Sequence, residues 1–271
     1  MQKRRVKGNW CQAPFVTVLA IGLLGALLGA HTDRTAIDRQ SIVNLVFAGK
    51  AAPQYEFLSA GDRLWFNPNV PKYPYDLNRA RQLLGQAGFR QEGGKLVDAQ
   101  GCAVTFTLAT NAGNQLRQKM SALIQSDLAK IGVQVNLAAI ESGALLSRIN
   151  NSFDYEAGLL AIVRGDADPS SHLNVLLSQG AHHWWCPQQS KPTTPWEVRI
   201  DELMRRQMST TGAAARKRLF DEVQLILGEQ PPYIFQATRH LIVGAKSELG
   251  NLRPALLPDF VLWNCDEIDR R

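Results

Sequence analysis

Tyr73–Phe89, YPYDLNRARQLLGQAGF, is the stretch on which the reading of this chain turns. An aromatic and proline approach leads to Asp76, a residue suited to accept the free N–H groups of a helix start. Leu77, Ala80, Leu83, Leu84 and Ala87 then fall on one helical face, and Gly88 is placed to take the left-handed conformation that stops a helix. The stretch predicts a short amphipathic helix with a defined beginning and end.

The same periodicities extend outward from it. Ile37–Ala48 predicts a short helix with Ile37, Ile42, Leu45 and Val46 inward, and Ala51–Lys72, with Pro53, Pro68 and Pro71, an extended loop. Gly93, Gly94 and Asp98–Gly101 mark the turns of a small hairpin. Val104–Ala109 alternates apolar and polar residues as a half-buried strand does. Leu116–Lys130 is helical, with Leu116, Met120, Leu123, Ile124 and Leu128 on one face, and Val133–Ala139 alternates again. Strand, helix and strand in that order predict a crossover joining two parallel strands of one sheet. Ser142–Asn150 reads as another helix, and Tyr155–Val163, apolar almost throughout, as a strand at the centre of the sheet. Arg164–Pro195 carries turns, histidines and tryptophans without a period, and a loop of that length inside a domain usually serves a function. Trp196–Met208 and Ala213–Glu229 are amphipathic helices, the second stopped by Pro231 and Pro232. Tyr233–Gln236 and Leu241–Ala245 read as short strands, and Leu249–Arg271 as an irregular tail.

The 271 residues are 45% apolar and 20% charged, the composition of a globular domain. Of the +6 net charge, four units belong to Lys3, Arg4, Arg5 and Lys7, which leaves +2 for the rest and no basic stripe for nucleic acid. Behind that basic start, Phe15–Ala30 is uncharged and reads as a secretory signal ending at Ala30, or as an uncleaved membrane tether. The four cysteines, Cys11, Cys102, Cys186 and Cys265, form no C-x-x-C pair. In an exported chain Cys186 and Cys265 are candidates for a disulfide; the alternative is unpaired, mostly buried thiols. No G-x-S-x-G, H-E-x-x-H or P-loop pattern occurs, so nothing points to an enzyme or a cofactor.

Four ordered stretches carry a resemblance. The Tyr73–Phe89 wording, Ala36–Pro53 (AIDRQSIVNLVFAGKAAP), Ile124–Val135 (IQSDLAKIGVQV), and Gly165–Pro169 with Asn174 together resemble the family 5 extracellular solute-binding proteins, the peptide and nickel receptors of ABC importers. The match runs over about residues 36–271. It implies an α/β fold of the periplasmic-binding-protein type, with a mixed sheet flanked by helices. Members are roughly twice this length and close two lobes over a ligand. The resemblance therefore implies the second lobe alone: residues 1–33 as signal or anchor, 34–240 as the lobe, and 241–271 as a tail that in the family returns to the first lobe.

Arg164, Asp166 and Asp168 follow the apolar strand directly, where open α/β sheets bind ligands. The resemblance implies that one of the two aspartates meets the amine of a peptide, although the spacing leaves open which; the bland alternative is a solvated, capped turn. It likewise implies that Arg117 or Lys119 holds a ligand carboxylate, against the alternative of an exposed basic helix face. Trp184 and Trp185, with His182 and His183, line an apolar pocket or else plug their own loop. Asp166, Asp168, His172, His182, His183 and Cys186 also raise a metal site, which keeps a nickel complex among the alternatives. The function implied is an extracytoplasmic, periplasmic receptor that presents a peptide-like solute to an inner-membrane ABC permease. A membrane-tethered sensory or interaction module and a non-functional remnant are the competing readings.

Overall fold

The computed structural model describes residues 32–161, 168–186, 189–230, 233–255 and 262–270. The basic start, Phe15–Ala30, Arg164 and Asp166 lie outside the described residues. A single turn α1 (Thr32–Thr35) leads into α2 (Arg39–Phe47), whose first turn is closed by Asp38 accepting from the Ser41 amide. Ile42, Val43 and Val46 point inward, and Leu45, expected among them, is 68% exposed. The buried face is Arg39, Ile42, Val43 and Val46, the i, i+3, i+4, i+7 stripe of a helix, so Val43 takes the inner place instead of Leu45.

Strand β1 (Ala51–Pro53) begins the loop to α3 (Leu77–Gln86), where Asp76 accepts from the Arg79 amide as expected. Gly88 has φ +89°, the left-handed stop. Ala80 and Leu84 are buried, whereas Ala87, already at the helix end, is exposed. A hairpin of β2 (Arg90–Glu92) and β3 (Lys95–Val97) follows. Then come β4 (Thr105–Asn111), α4 (Gln115–Ala129) and β5 (Gln134–Ile140), and the two strands pair in parallel from Thr105 against Gln134 to Asn111 against Ile140. The crossover read from the sequence is present in register.

Beyond β5, α5 (Ser142–Ser147) runs into a π-helical turn at Arg148–Ser152. The expected central strand Tyr155–Val163 is not central. Among the described residues of that stretch, Ala157–Gly158 (β6) is the part that is strand; it pairs with β4 at one edge, and β4 occupies the middle, while Ile162 and Val163 lie outside the described residues. Side chains take over the ladder on both sides: Glu156 Oε2 accepts from the Thr107 amide (2.7 Å), and Thr110 Oγ1 donates to the Leu159 carbonyl (3.0 Å). Within the stretch expected to lack a period, a 3-10 turn (Pro169–His172) continues into α6 (Leu173–Leu176). Two long helices, α7 (Pro195–Ser209) and α8 (Ala213–Glu229), pack against each other. The strand after them is β7 (Ala237–Arg239), pairing with β1, rather than the two segments expected on either side of it. Strands β8 (Leu249–Gly250) and β9 (Asp269–Arg270) close the tail.

The even-numbered residues of β4, Phe106 and Leu108, join α2, α3 and α4 in one apolar core. A second core gathers α7, α8, Phe57, Trp65, Trp185 and Tyr233. A small third cluster covers Ala109 on the opposite face of β4. Cys186 and Cys265 are not joined, so the disulfide weighed for them is not formed; Cys186 is buried, whereas Cys102 and Cys265 are exposed, against the expectation of buried thiols. Among the described residues no helix is long and apolar enough to cross a membrane.

Candidate functional site

The carboxyl ends of three parallel strands lie together in this fold, at Asn111, Ile140 and Gly158. Ala112 donates its amide to the Ile140 carbonyl (2.6 Å), which holds two of the ends side by side. Asn114 opens α4 by accepting from the Arg117 amide (3.0 Å), and Arg117 Nη1 donates to Asn111 Oδ1 (2.6 Å). The Arg117 guanidinium is half-buried, and desolvation pulls its pKa below the ordinary arginine value. Among the described residues no carboxylate is paired with it. Lys119, two residues on, is exposed.

On the other side of β4, Ala109, Leu145 and Ile149 are buried together, with Ala138, Ile140, Tyr155, Leu160 and Trp184 packed against them. The two tryptophans weighed together from the sequence separate here. Trp184 is half-buried in this cluster; its Nε1 donates to Asn150 Oδ1 (2.7 Å), and its carbonyl accepts from the Tyr155 hydroxyl (2.8 Å). The exposed imidazole of His182 lies with its ring centre 5.3 Å from the indole. Trp185 is 1% exposed, edge-on to Tyr233 at 5.2 Å, and belongs to the second core. It therefore serves as the loop's own plug and not as a pocket wall.

That plug is fastened by Glu197, a residue the sequence reading passed over. Its Oε1 accepts from Trp185 Nε1 (3.0 Å) and Gln189 Nε2 (3.3 Å) and faces His183 Nε2 at 3.4 Å, while His183 Nδ1 lies 3.2 Å from the Val175 carbonyl. Its Oε2 accepts from the amides of Thr193 (3.0 Å) and Thr194 (2.9 Å) and from both hydroxyls. Burial raises the carboxyl pKa, but hydrogen bonds from His183, Trp185, Thr194 and the Thr193 amide outweigh it and hold the group well below the carboxylate range. The signal was available, because Thr194-x-x-Glu197 is a capping box.

Asp168 caps the 3-10 turn by accepting from the Ser170 amide (2.9 Å) and is paired with Arg216 (2.7 Å), whose guanidinium lies 5.4 Å from the ring centre of Trp65. The Arg216 contact holds its carboxyl well below the usual range. Of the two candidate aspartates, this one is engaged in tying the loop to α8. Asn174 is exposed, and its carbonyl accepts from the His182 amide (2.8 Å). A Cβ on Gly180 would come 2.2 Å from that carbonyl oxygen, so the chain returns to Asn174 only with glycine there. The structure thus brings Asn174 and His182 together and sets Trp184 at the strand ends. It leaves Trp185 in the core. Among the described residues no group of three or more His, Cys, Asp or Glu side chains is disposed to hold a metal ion. Two open depressions lie elsewhere, one bordered by Tyr73, Asp76 and Arg79 and the other by Gln125, Ser126 and Val135.

Residues 34–183 match the family described as bacterial extracellular solute-binding proteins, family 5 Middle. The oligopeptide-binding protein AppA of Bacillus subtilis is 26% identical over 208 residues, 74% of this chain and 36% of that protein. The glutathione-binding protein GsiB of Pectobacterium atrosepticum is 24% identical over 235 residues, 86% of this chain and 43% of its own length. The chain thus spans less than half the length of these relatives. In fold it is similar to AppA of Bacillus subtilis solved with a nonapeptide, with a TM-score of 0.69 at 22% identity over 89% of this chain and 46% of that one. NikZ of Campylobacter jejuni, solved with Ni(L-His), gives 0.70 at 20% identity over 94% of this chain and 51% of that one. With more than half of its length matched by the family's profile and these folds alongside, the chain belongs to the family 5 bacterial extracellular solute-binding proteins.

Proposed function

We propose that the protein is a receptor for a peptide-like solute, acting outside the cytoplasm and delivering its cargo to an ABC permease. The observation that carries this reading is a half-buried cation at the strand ends of a sheet that also carries an aromatic and apolar cluster. Arg117 presents a half-buried guanidinium, held by Asn111 and without a carboxylate partner among the described residues, while Trp184 and its neighbours present an aromatic and apolar surface. A peptide offers the complement of both: a terminal carboxylate for a planar, multi-donor cation and a side chain for the apolar surface. The family supports the same reading, since the relatives' names specify oligopeptides and glutathione.

The guanidinium is the part to test. Calorimetry with the full chain should show the tripeptide Ala-Phe-Ala binding about tenfold more tightly than its C-terminal amide, a difference of about 1.4 kcal/mol. Arg117→Ala should abolish the difference while leaving the amide's affinity unchanged. Equal affinity for acid and amide in the unaltered protein would remove Arg117 from the site, and binding of neither peptide would remove the peptide reading.

A further inference from the structure

We infer that Asn150 and Tyr155 are positioning residues that set the protein's selectivity for solutes bearing an aromatic side chain, by fixing the plane of the Trp184 indole. The inference rests on the proposed function, since it concerns the same surface.

Three observations lead to it. First, α5 does not end regularly. Its last turn widens to the π form at Arg148–Ser152, and Phe153 then takes φ +53°, a left-handed conformation uncommon for an aromatic residue. The widened turn keeps Ile149 buried in the third cluster while Asn150 Oδ1 reaches Trp184 Nε1 at 2.7 Å. Second, the Trp184 backbone is held separately, because Tyr155 donates its hydroxyl to the Trp184 carbonyl at 2.8 Å. Tyr155 is mostly buried, and desolvation by that burial raises its pKa, so the hydroxyl stays a donor throughout the neutral range. Third, these two bonds restrain the one tryptophan of the adjacent pair that the fold leaves partly accessible, beside His182 at the strand ends. Trp185 needs no such device, because the second core surrounds it.

A tryptophan anchored at both its indole nitrogen and its backbone can offer a ring face at low entropic cost to a binding partner. Offset or edge-to-face contact with a second ring depends on the angle between the planes, which the Asn150 bond controls. A glycine-bearing solute makes no such contact and is indifferent to that angle. Selectivity therefore separates positioning from general support of the fold.

The test compares Ala-Phe-Ala with Ala-Gly-Ala on the full chain by calorimetry, alongside the Trp184 indole N–H resonance, assigned by its loss in Trp184→Phe. Asn150→Ala should weaken Ala-Phe-Ala about tenfold, leave Ala-Gly-Ala unchanged and shift the indole signal. Asn150→Asp, which keeps the acceptor oxygen, should restore both. Tyr155→Phe keeps the packing and loses only the hydroxyl; it should lower the same ratio, and it carries the test if Asn150→Ala fails to fold. Equal weakening of both peptides, or none, in folded Asn150→Ala and Tyr155→Phe proteins would overturn the inference while leaving the receptor reading intact. Binding of neither peptide by the unaltered chain would overturn both.

Discussion

At the scale of single residues, Glu197 carries more of the structure than any aspartate in the preceding loop. One carboxylate satisfies donors from the Trp185 indole, Gln189, Thr193 and Thr194, so its removal strands several of them in a buried site. Glu197→Ala should therefore destabilise the protein by about 3 kcal/mol, read as a lower urea midpoint with an unchanged slope. The pH dependence follows from the direction of the shift. The folded-state pKa is depressed, so the stabilisation is complete above the unfolded value of about 4.3 and is lost as pH falls below it. Asp168, held down by Arg216, acts in the same sense. The wild-type urea midpoint should fall on acidification from pH 5 to pH 3, and Glu197→Gln should flatten that fall. A midpoint equally sensitive to acid in the variant would show that Glu197 is not its source.

At the scale of elements, two arginines near the start of the described chain close the far end of the fold. Arg34 Nη2 donates to the Leu227 carbonyl (3.2 Å) and Nη1 to that of Gly228, in the last turn of α8, where helix carbonyls lack intrahelical partners. Arg39 donates from Nε to the Phe235 carbonyl (2.7 Å) and from Nη1 to the Arg34 carbonyl (2.8 Å). Contacts between residues nearly 200 positions apart thus join the first helices to the last. Arg34→Ala should fray α8, with amide exchange accelerated over Leu225–Glu229 and overall stability lowered by about 2 kcal/mol. Uniform exchange along α8 in that variant would refute the assignment. No periodicity announces such a contact. Arg39 sits in a stretch whose letters resemble the family and Arg34 just before it, but their partners are backbone carbonyls, which have no signature in sequence.

At the scale of the whole molecule, the described part of the tail leaves several large apolar side chains exposed. Ile242 is 67% exposed, Leu262 62% and Trp263 53%, while Leu256, Leu257 and Phe260 lie outside the described residues. Among the described residues the tail is tied to itself by Asn264 Nδ2 to the Asn251 carbonyl (2.8 Å), by Trp263 to the Arg253 carbonyl and by the pairing of β8 with β9. Apolar side chains gathered on an exposed segment favour association. Sedimentation velocity should show concentration-dependent self-association that is abolished by the double change Leu262→Asp and Trp263→Asp. A monomer at every concentration would contradict this.

The sequence by itself determined the elements whose information is local. The α3 helix, with Asp76 as cap and Gly88 as stop, the β4–α4–β5 crossover, and α7 and α8 follow from periods and capping residues that a segment carries in its own letters. Tertiary structure alone decided three other matters. It limited the strand within the described residues 155–161 to Ala157–Gly158 at an edge, because Glu156 and Thr110 side chains take up backbone groups of β4 and Leu159 on either side of it. It moved Leu45 to the surface and Val43 inward. It also divided Trp184 from Trp185, neighbours with the same side chain, by surrounding one with Glu197 and Tyr233 and leaving the other to Asn150 and Tyr155. An apolar residue records that it will be buried but not which distant segment buries it. A polar group's partner is chosen only when the chain has closed on itself.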